Sequence, residues 1–373
     1  MDPQAQFCHK SDCPAVGQTG QGNITIHSRK ERRYRCKTCG RTFTERKGTA
    51  LEGLKKEVAL FTIVITLLAH GCPIPAIVAA YELDVRTVRA WLQKAGAQCE
   101  KVHRHFLGQQ LLDLIHVQVD ELKVKLQGGW LWLASAICVP TRLWLGGAVS
   151  TRRDGQLLSA VVAQIRSVAL CRPLLLAVDG LKTYVEVFRR AFRSKLPRHR
   201  RRGRSRLIAW AGIVIVQVIK HRSAEHFHLE RRIVQGSETD CQALLQASGG
   251  GKLINTAFIE RLNATFRQCL GHLVRRSRHQ ARKPDTLPAG MYLLGCVYNF
   301  CRFHQSLRLP LWITERRRKW VPRTPAIATG WTDHRWEVLE LLTFKVPPPR
   351  WRPDYKPGRP PKALAKLATE WAT

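Results

Sequence analysis

The sequence predicts an α/β chain, a mixed sheet with flanking helices, preceded by two small modules. Three observations carry that expectation. Leu114–Glu121 alternates apolar and polar residues and ends in two carboxylates, the pattern of a strand with Asp120 at its tip. A second apolar run, Leu174–Val178, ends the same way in Asp179. Residues 252–273 have helical spacing and carry one acid, Glu260, near their middle.

The 373 residues leave room for two or three small domains and one sizeable core, and an apolar content of 45% is ordinary for a globular protein. The formal net charge of +35 and the sequence pI near 10.6 are not ordinary. Such an excess makes a long-range positive field suited to a polyanion. A merely soluble basic protein, or one bound to an acidic membrane, would share it, but the charge runs through the whole chain and favours nucleic acid. Met1–Lys10 has no apolar core. The apolar runs 60–69 and 207–219 fall short of the roughly 18–20 residues of a bilayer span, and Pro140 and Arg142 interrupt 130–149. The expectation is a cytoplasmic, nucleoid-associated protein without a membrane partner.

Of twelve cysteines, four lie in the first 40 residues and most others sit singly inside apolar segments. That suits a reducing compartment with one metal site. Cys8-x4-Cys13, a 22-residue gap and Cys36-x2-Cys39 have the spacing of two thiolate knuckles on one structural zinc, with Gly40 free to adopt the positive φ of a tight turn. His9 is an alternative ligand by position. Residues 1–50 are therefore expected to form a zinc ribbon, whose basic residues from Arg29 to Arg41 could touch a phosphate backbone.

Residues 51–105 read as helices. Leu54, Val58, Phe61, Ile65 and Leu68 recur at helical spacing, and Gly71 and Pro73 end that run. Ile74–Tyr81 and Val85–Ala95 then flank a turn at Leu83-Asp84, a helix-turn-helix outline. In it Arg86, Thr87, Arg89 and Gln93 would face DNA, and Val88, Trp91 and Leu92 would pack inward. An ordinary three-helix packing unit is the alternative.

Residues 106–310 predict a first strand ending at Asp120, strands at 130–139 and 143–149, a helix at 153–168, a strand at 174–179 and a helix at 184–192. Strands at 214–220 and 230–234 and helices at 252–273 and 287–303 follow. This is the element order of a ribonuclease-H-like domain, in which the ends of the first and fourth strands lie side by side. Within it, residues 193–206 form a basic insert centred on Arg198, Arg200, Arg201, Arg202 and Arg204, expected to be an exposed loop on phosphates; a solvated arm would carry the same composition. Residues 311–373 are expected to be a basic, proline-rich C-terminal tail. Around Arg359 it carries a Gly-Arg-Pro core like an AT-hook, which lies in a narrow minor groove.

Two strand-borne aspartates and one helix-borne glutamate in a basic chain match the needs of phosphodiester chemistry. Two Mg²⁺ ions about 4 Å apart can serve nucleophile and leaving oxygen, and each needs only one or two carboxylates. Asp120 is expected to bridge, with Asp179 and Glu260 each completing one ion. Glu121 is a competitor, although strand alternation points it the other way. Asn263, Arg261 and Arg267 flank Glu260 and would sit near the DNA strand.

The chain resembles the DDE transposases of bacterial insertion sequences that carry an N-terminal zinc ribbon. The matching pieces are 33–43, Gly48-Thr49, Val119–Leu122, Val178–Gly180, Asn255 with Glu260-Arg261-Leu262-Asn263, and 298–307 with His304 and Ser306. Together they span most of residues 8–308. The resemblance implies an Asp120, Asp179, Glu260 triad, binding to terminal inverted repeats of double-stranded DNA, Mg²⁺-dependent strand cleavage followed by 3′-OH strand transfer, and at least a homodimer on DNA. The basic insert and the hook-like tail depart from that pattern. A catalytically inactive, transposase-derived DNA-binding regulator would share the ribbon, the helix-turn-helix and the charge.

Overall fold

A computed structural model describes residues 1–196, 205–222, 227–273, 284–314 and 317–350. Arg198, Arg200, Arg201, Arg202, Arg204 and Arg359 lie outside the described residues. The chain divides into two compact units, Met1–Gly48 with Lys345–Thr373, and Thr49–Phe344.

In the first unit, β1 (Ile24–Ser28), β2 (Arg33–Cys36) and β3 (Thr42–Thr44) form an antiparallel sheet in that order. Its small core holds Tyr34, fully buried and stacked on Phe43, together with Cys8, Cys13 and Cys36. Gly40 takes φ +69° behind the second cysteine pair, a region that costs glycine nothing.

The second unit opens with α1 (Val58–Ala69), α2 (Ile74–Tyr81) and α3 (Val85–Leu107). Asp84 caps α3 by accepting from the Arg86 amide at 2.6 Å. The third helix runs 12 residues beyond the predicted end at Ala95. Gly96 does not break it; there the helix backbone meets Ala289 so closely that a Cβ would stand 2.5 Å from the Ala289 Cα.

Next come β4 (His116–Leu126), β5 (Gly129–Cys138), β6 (Trp144–Ser150), α4 (Gly155–Val168), β7 (Leu174–Asp179) and α5 (Lys182–Ala191). Short strands β8 (Arg193–Lys195) and β9 (Leu207–Ala209) pair across the basic insert. Then follow β10 (Ile213–Arg222), β11 (Phe227–Gln235), α6 (Glu238–Ala247), α7 (Ala257–Cys269) and α8 (Thr286–Cys296). A π-helical turn over 297–301 continues α8. Residues 311–344, expected within the tail, contribute with Leu309 and Pro310 to a hairpin, β12 (Leu309–Thr314) and β13 (Arg317–Val321), and to short helices α9 (Pro325–Thr329) and α10 (Val338–Thr343).

Six strands form one mixed sheet in the order β11-β10-β7-β4-β5-β6. β10, β7 and β4 are mutually parallel, and the other pairings are antiparallel. β7 reads Leu-Leu-Leu-Ala-Val because it is central and covered on both faces. On one face Leu175, Ala177, Val214 and Val216 pack against Cys241 and Leu245 of α6. Asn299, fully buried, ties the π-turn to β6 by exchanging two 2.9 Å hydrogen bonds with the Trp144 backbone. Among the described residues no helix is long and apolar enough to cross a membrane.

Two predicted boundaries are corrected. Asp120 is not at a strand tip: β4 continues to Leu126 because 121–126 pairs with β5 down to the Leu126–Gly129 turn. The helix carrying Glu260 begins at Ala257 rather than Lys252, because the Asn255 side chain donates to the Gly250 and Leu253 carbonyls, both at 2.9 Å, and accepts from the Ala257 amide at 3.1 Å, which ties the residues before Ala257 into a turn. Its N-terminus is capped from a distance. The Gln118 side chain on β4 accepts from the Phe258 and Ile259 amides, both at 3.0 Å, and donates to the Asn255 carbonyl at 2.8 Å. Those amides are the orphan donors of a helix start, and Gln118 is fully buried. Gln118→Ala would strip both of their acceptor, at about 1–3 kcal/mol for each buried donor left unpaired. The expected loss is about 2–6 kcal/mol, read as a lower urea midpoint with an unchanged slope.

Candidate metal centre and basic cavity

Asp120 lies on the same face of β4 as Gln118 and His116, all turned toward the 248–263 segment. Asn263 on α7 donates to its carboxylate at 2.8 Å. Asp179 ends β7, the parallel neighbour of β4, and accepts from the Leu181 amide at 3.0 Å. Glu260, one turn into α7, accepts from Thr256 Oγ1 at 2.6 Å and pairs with Lys220 of β10. Asp120, Asp179 and Glu260 share the wall of one open cavity of about 770 Å³ with Arg153, Lys220 and Arg267.

The tightest acidic group differs from the predicted triad. Ligand oxygens of Asp120, Glu121 and Asp179 all lie within 4.8 Å of one another. Glu121 does leave β4 on the opposite side from Asp120, but its fully buried carboxylate is joined to Asp179 through Arg153. The guanidinium stands 3.3 Å from Glu121 and 2.8 Å from Asp179.

This concentration of charge is costly without a cation. Burial raises the Asp120 carboxyl above its ordinary range, and Asp179 and Glu260 push it further the same way. Burial likewise raises Glu121, with Asp179 adding to it and Arg153 opposing. Arg153 is itself drawn down by burial, but the two carboxylates outweigh that and leave it raised. Three close carboxylates on rigid strands, with two of them strained toward protonation, are a donor set that a hard divalent cation fits.

A second group lies in the first unit. Cys8, Cys13, Cys36 and Cys39 sulfurs lie within 4.8 Å of one another, with Cys8 and Cys39 3.6 Å apart and Cys13 and Cys36 3.9 Å apart. Four thiolates around a tetrahedral ion at about 2.3 Å would stand about 3.8 Å apart. The spacing fits a bound metal, and none of the twelve cysteines forms a disulfide.

The predicted DNA-facing residues scatter. Arg86 and Arg89 are exposed on α3, and Thr87 is half-buried. Arg86 folds back onto Asp84 at 3.1 Å, and Gln93 donates to the Asp285 carbonyl at 3.2 Å. Arg261 and Arg267 are separated by α7: Arg267 lines the acidic cavity, and Arg261 lines a second one. That second cavity, about 230 Å³, also takes in Arg142, Tyr298, Arg302, His304 and Ser306. Sequence reasoning missed Gln118, Arg153 and Lys220. Gln118 had a signal, a polar residue between Val117 and Val119 in a strand read as buried. Arg153 and Lys220 had none, since charged residues are common in this chain.

No family model and no curated protein matches the chain.

The raised Asp120 pKa has a definite sign. A carboxyl that holds its proton more tightly when folded favours the native state below the ordinary carboxylate pKa. That contribution is lost as pH rises through the raised value. Asp120→Asn escapes the loss, and its amide can still accept from Asn263. In metal-free buffer the variant is expected to melt higher than wild type, with a gap that widens from about pH 4 to about pH 7. Mg²⁺ is expected to narrow the gap by stabilising wild type alone. Thermal melts across that range check both statements.

Proposed function

We propose that the chain is a metal-dependent DNA-cutting and strand-joining enzyme of the DDE transposase kind. The observation that carries this reading is the shared wall of Asp120, Asp179 and Glu260, borne by two adjacent parallel strands and the helix packed over them. The sheet order β6-β5-β4-β7-β10, with β4, β7 and β10 parallel, supports a ribonuclease-H-like domain, to which β11 adds an edge strand. The net charge of +35 supports a polyanionic substrate, double-stranded DNA. The four-cysteine group, with Cys8 and Cys13 ahead of β1 and Cys36 and Cys39 at the β2–β3 turn, supports a zinc ribbon. The α2–α3 turn, capped by Asp84, supports a helix-turn-helix whose exposed Arg86 and Arg89 would meet a DNA groove.

In this reading Asp120 and Asp179 would hold two Mg²⁺ ions with Glu260, or with Glu121 in its place. Bound there, Mg²⁺ would supply Lewis acidity and an activated oxygen nucleophile. The chain's own residues position that chemistry. Gln118 fixes the start of α7, Asn263 orients Asp120, and the Leu181 amide orients Asp179. Arg267 and Lys220 add positive charge to the wall on which a phosphodiester would lie. Joining two DNA ends calls for at least a dimer.

One observation favours a second reading, an inactive DNA-binding regulator. Each outer carboxylate already carries a basic partner, Arg153 on Asp179 and Lys220 on Glu260. In an active enzyme these cations must yield or serve the substrate.

The test is strand cleavage and joining on a labelled duplex from the DNA flanking the chain's own gene, with Mg²⁺. Asp120→Asn and Asp179→Asn are expected to lower activity at least about a thousandfold, the scale of losing a principal transition-state contact. Glu260→Gln run beside Glu121→Gln identifies the third ligand as the one whose loss matches theirs. Binding without cleavage, in Mg²⁺ and in Mn²⁺, would move the conclusion to the inactive regulator.

A further inference from the structure

Helix α7 has two functional sides. Toward the acidic cavity its neighbours are balanced, carboxylate against cation. Toward the second cavity they are not. Arg142, Arg261 and Arg302 line that cavity with His304, Tyr298 and Ser306, and among the described residues no carboxylate lies on its wall. Among the described residues, neither Arg142 nor Arg261 pairs with an acid.

The wall is built rather than loose. Arg142 sits at the β5–β6 turn with φ +56°, a conformation that favours glycine, yet the position carries a long cation. Its guanidinium lies 4.0 Å from the centroid of Phe258 on α7 and donates through Nε to Ser306 Oγ at 3.3 Å. A further donation goes to the Val139 carbonyl through Nη1. That leaves three of its five N–H donors. Ser306 is also 3.0 Å from His304 Nδ1, so hydroxyl, imidazole and guanidinium form one chain. Arg302 is anchored by its Nη2 on the Ala69 carbonyl at 2.7 Å, while its buried Nε has no partner. Burial lowers the Arg142 pKa and Arg261 lowers it further; burial also lowers His304, with both arginines adding to it. An assembly of cationic donors at this cost, with no carboxylate among its described wall residues, fits an anion.

We propose that this cavity is a phosphate-binding site in which Arg142, Arg261, His304 and Ser306 grip one phosphate group. The planar donor forks of the arginines match phosphate oxygens, and Ile137, Leu262 and Phe303 supply an apolar part of the wall beside them. That the phosphate belongs to the DNA strand crossing α7 rests on the function proposed above. Phosphate recognition itself does not.

The test has two arms. In the first, inorganic phosphate is titrated at constant ionic strength and read on the His304 imidazole proton, assigned with His304→Gln. A saturable shift is expected, at least about tenfold weaker in Arg142→Gln and in Arg261→Gln. Arg261 is exposed on α7, so its variant keeps the fold even if the strained Arg142 turn does not tolerate change. No saturable shift in wild type, or the same shift in both variants, overturns the site. In the second arm, a duplex with or without a 5′-phosphate is bound over a salt series. Arg261→Gln is expected to weaken either duplex about tenfold and to reduce the log–log salt slope by about one. If only the 5′-phosphorylated duplex responds, the occupant is a terminal phosphate group. If phosphate binds and neither duplex responds, the site stands and its place on the DNA strand is overturned. Because neither arm requires cleavage, failure of the enzyme reading would show separately.

Discussion

The hydrogen bonds of Gln118 to the start of α7 are the constraint on which the candidate centre depends. β4 carries Gln118 and Asp120 two residues apart, so both face the same helix. One grips its first amides, and the other accepts from Asn263 a turn and a half later. A helix start leaves amide donors unpaired, and a buried glutamine in the neighbouring strand meets two of them. The distance between the aspartate strand and the glutamate helix is thereby set by hydrogen-bond geometry and not by apolar packing alone. Parallel pairing with β7 brings Asp179 alongside. Three chain segments more than 50 residues apart therefore meet at one cavity.

Electrostatics then explains why such a basic chain keeps its acids here. In a protein of net charge +35 an isolated carboxylate finds partners easily, and Arg153 and Lys220 supply them. Asp120 is different. Burial and two neighbouring acids push it toward its neutral form, and its hydrogen bond from Asn263 is only a partial offset. A fold selected for stability alone would not place it there. The opposite side of α7 inverts the arrangement, with arginines gathered and, among the described residues, no acid on their wall. The helix thus separates a site suited to cations from one suited to anions.

Much of the sheet was legible in the sequence because its central strands are covered on both faces. Leu174–Asp179 was read to the residue, since Pro173 and Gly180 bound an unbroken apolar run. Asp120 and Asp179 stood out as acids attached to such runs. What was not legible came from pairing and distance. β4 outruns Asp120 because β5 extends the ladder, and no local property of Glu121 marks that. The helix from Val85 was expected to end at Ala95, although Gly96 only marks where α3 and α8 touch. α6 went unread because only Cys241 and Leu245 of Glu238–Ala247 are buried, too few to set a period. Most of the hairpin strands at 309–314 and 317–321 was assigned to a basic tail, because the basic run 316–319 hides any alternation. Glu121 joins the acidic group through Arg153, a contact between strand and loop that periodicity cannot express.

The most direct measurement is Mn²⁺ binding, followed by the paramagnetic resonance of the free ion, on wild type and on Asp120→Asn at neutral pH. A centre built by Asp120, Asp179 and a third carboxylate predicts saturable binding in wild type, weakened at least about tenfold in the variant, with Gln118→Ala falling between. No saturable binding in wild type, or equal binding in Asp120→Asn, would contradict the account at its centre.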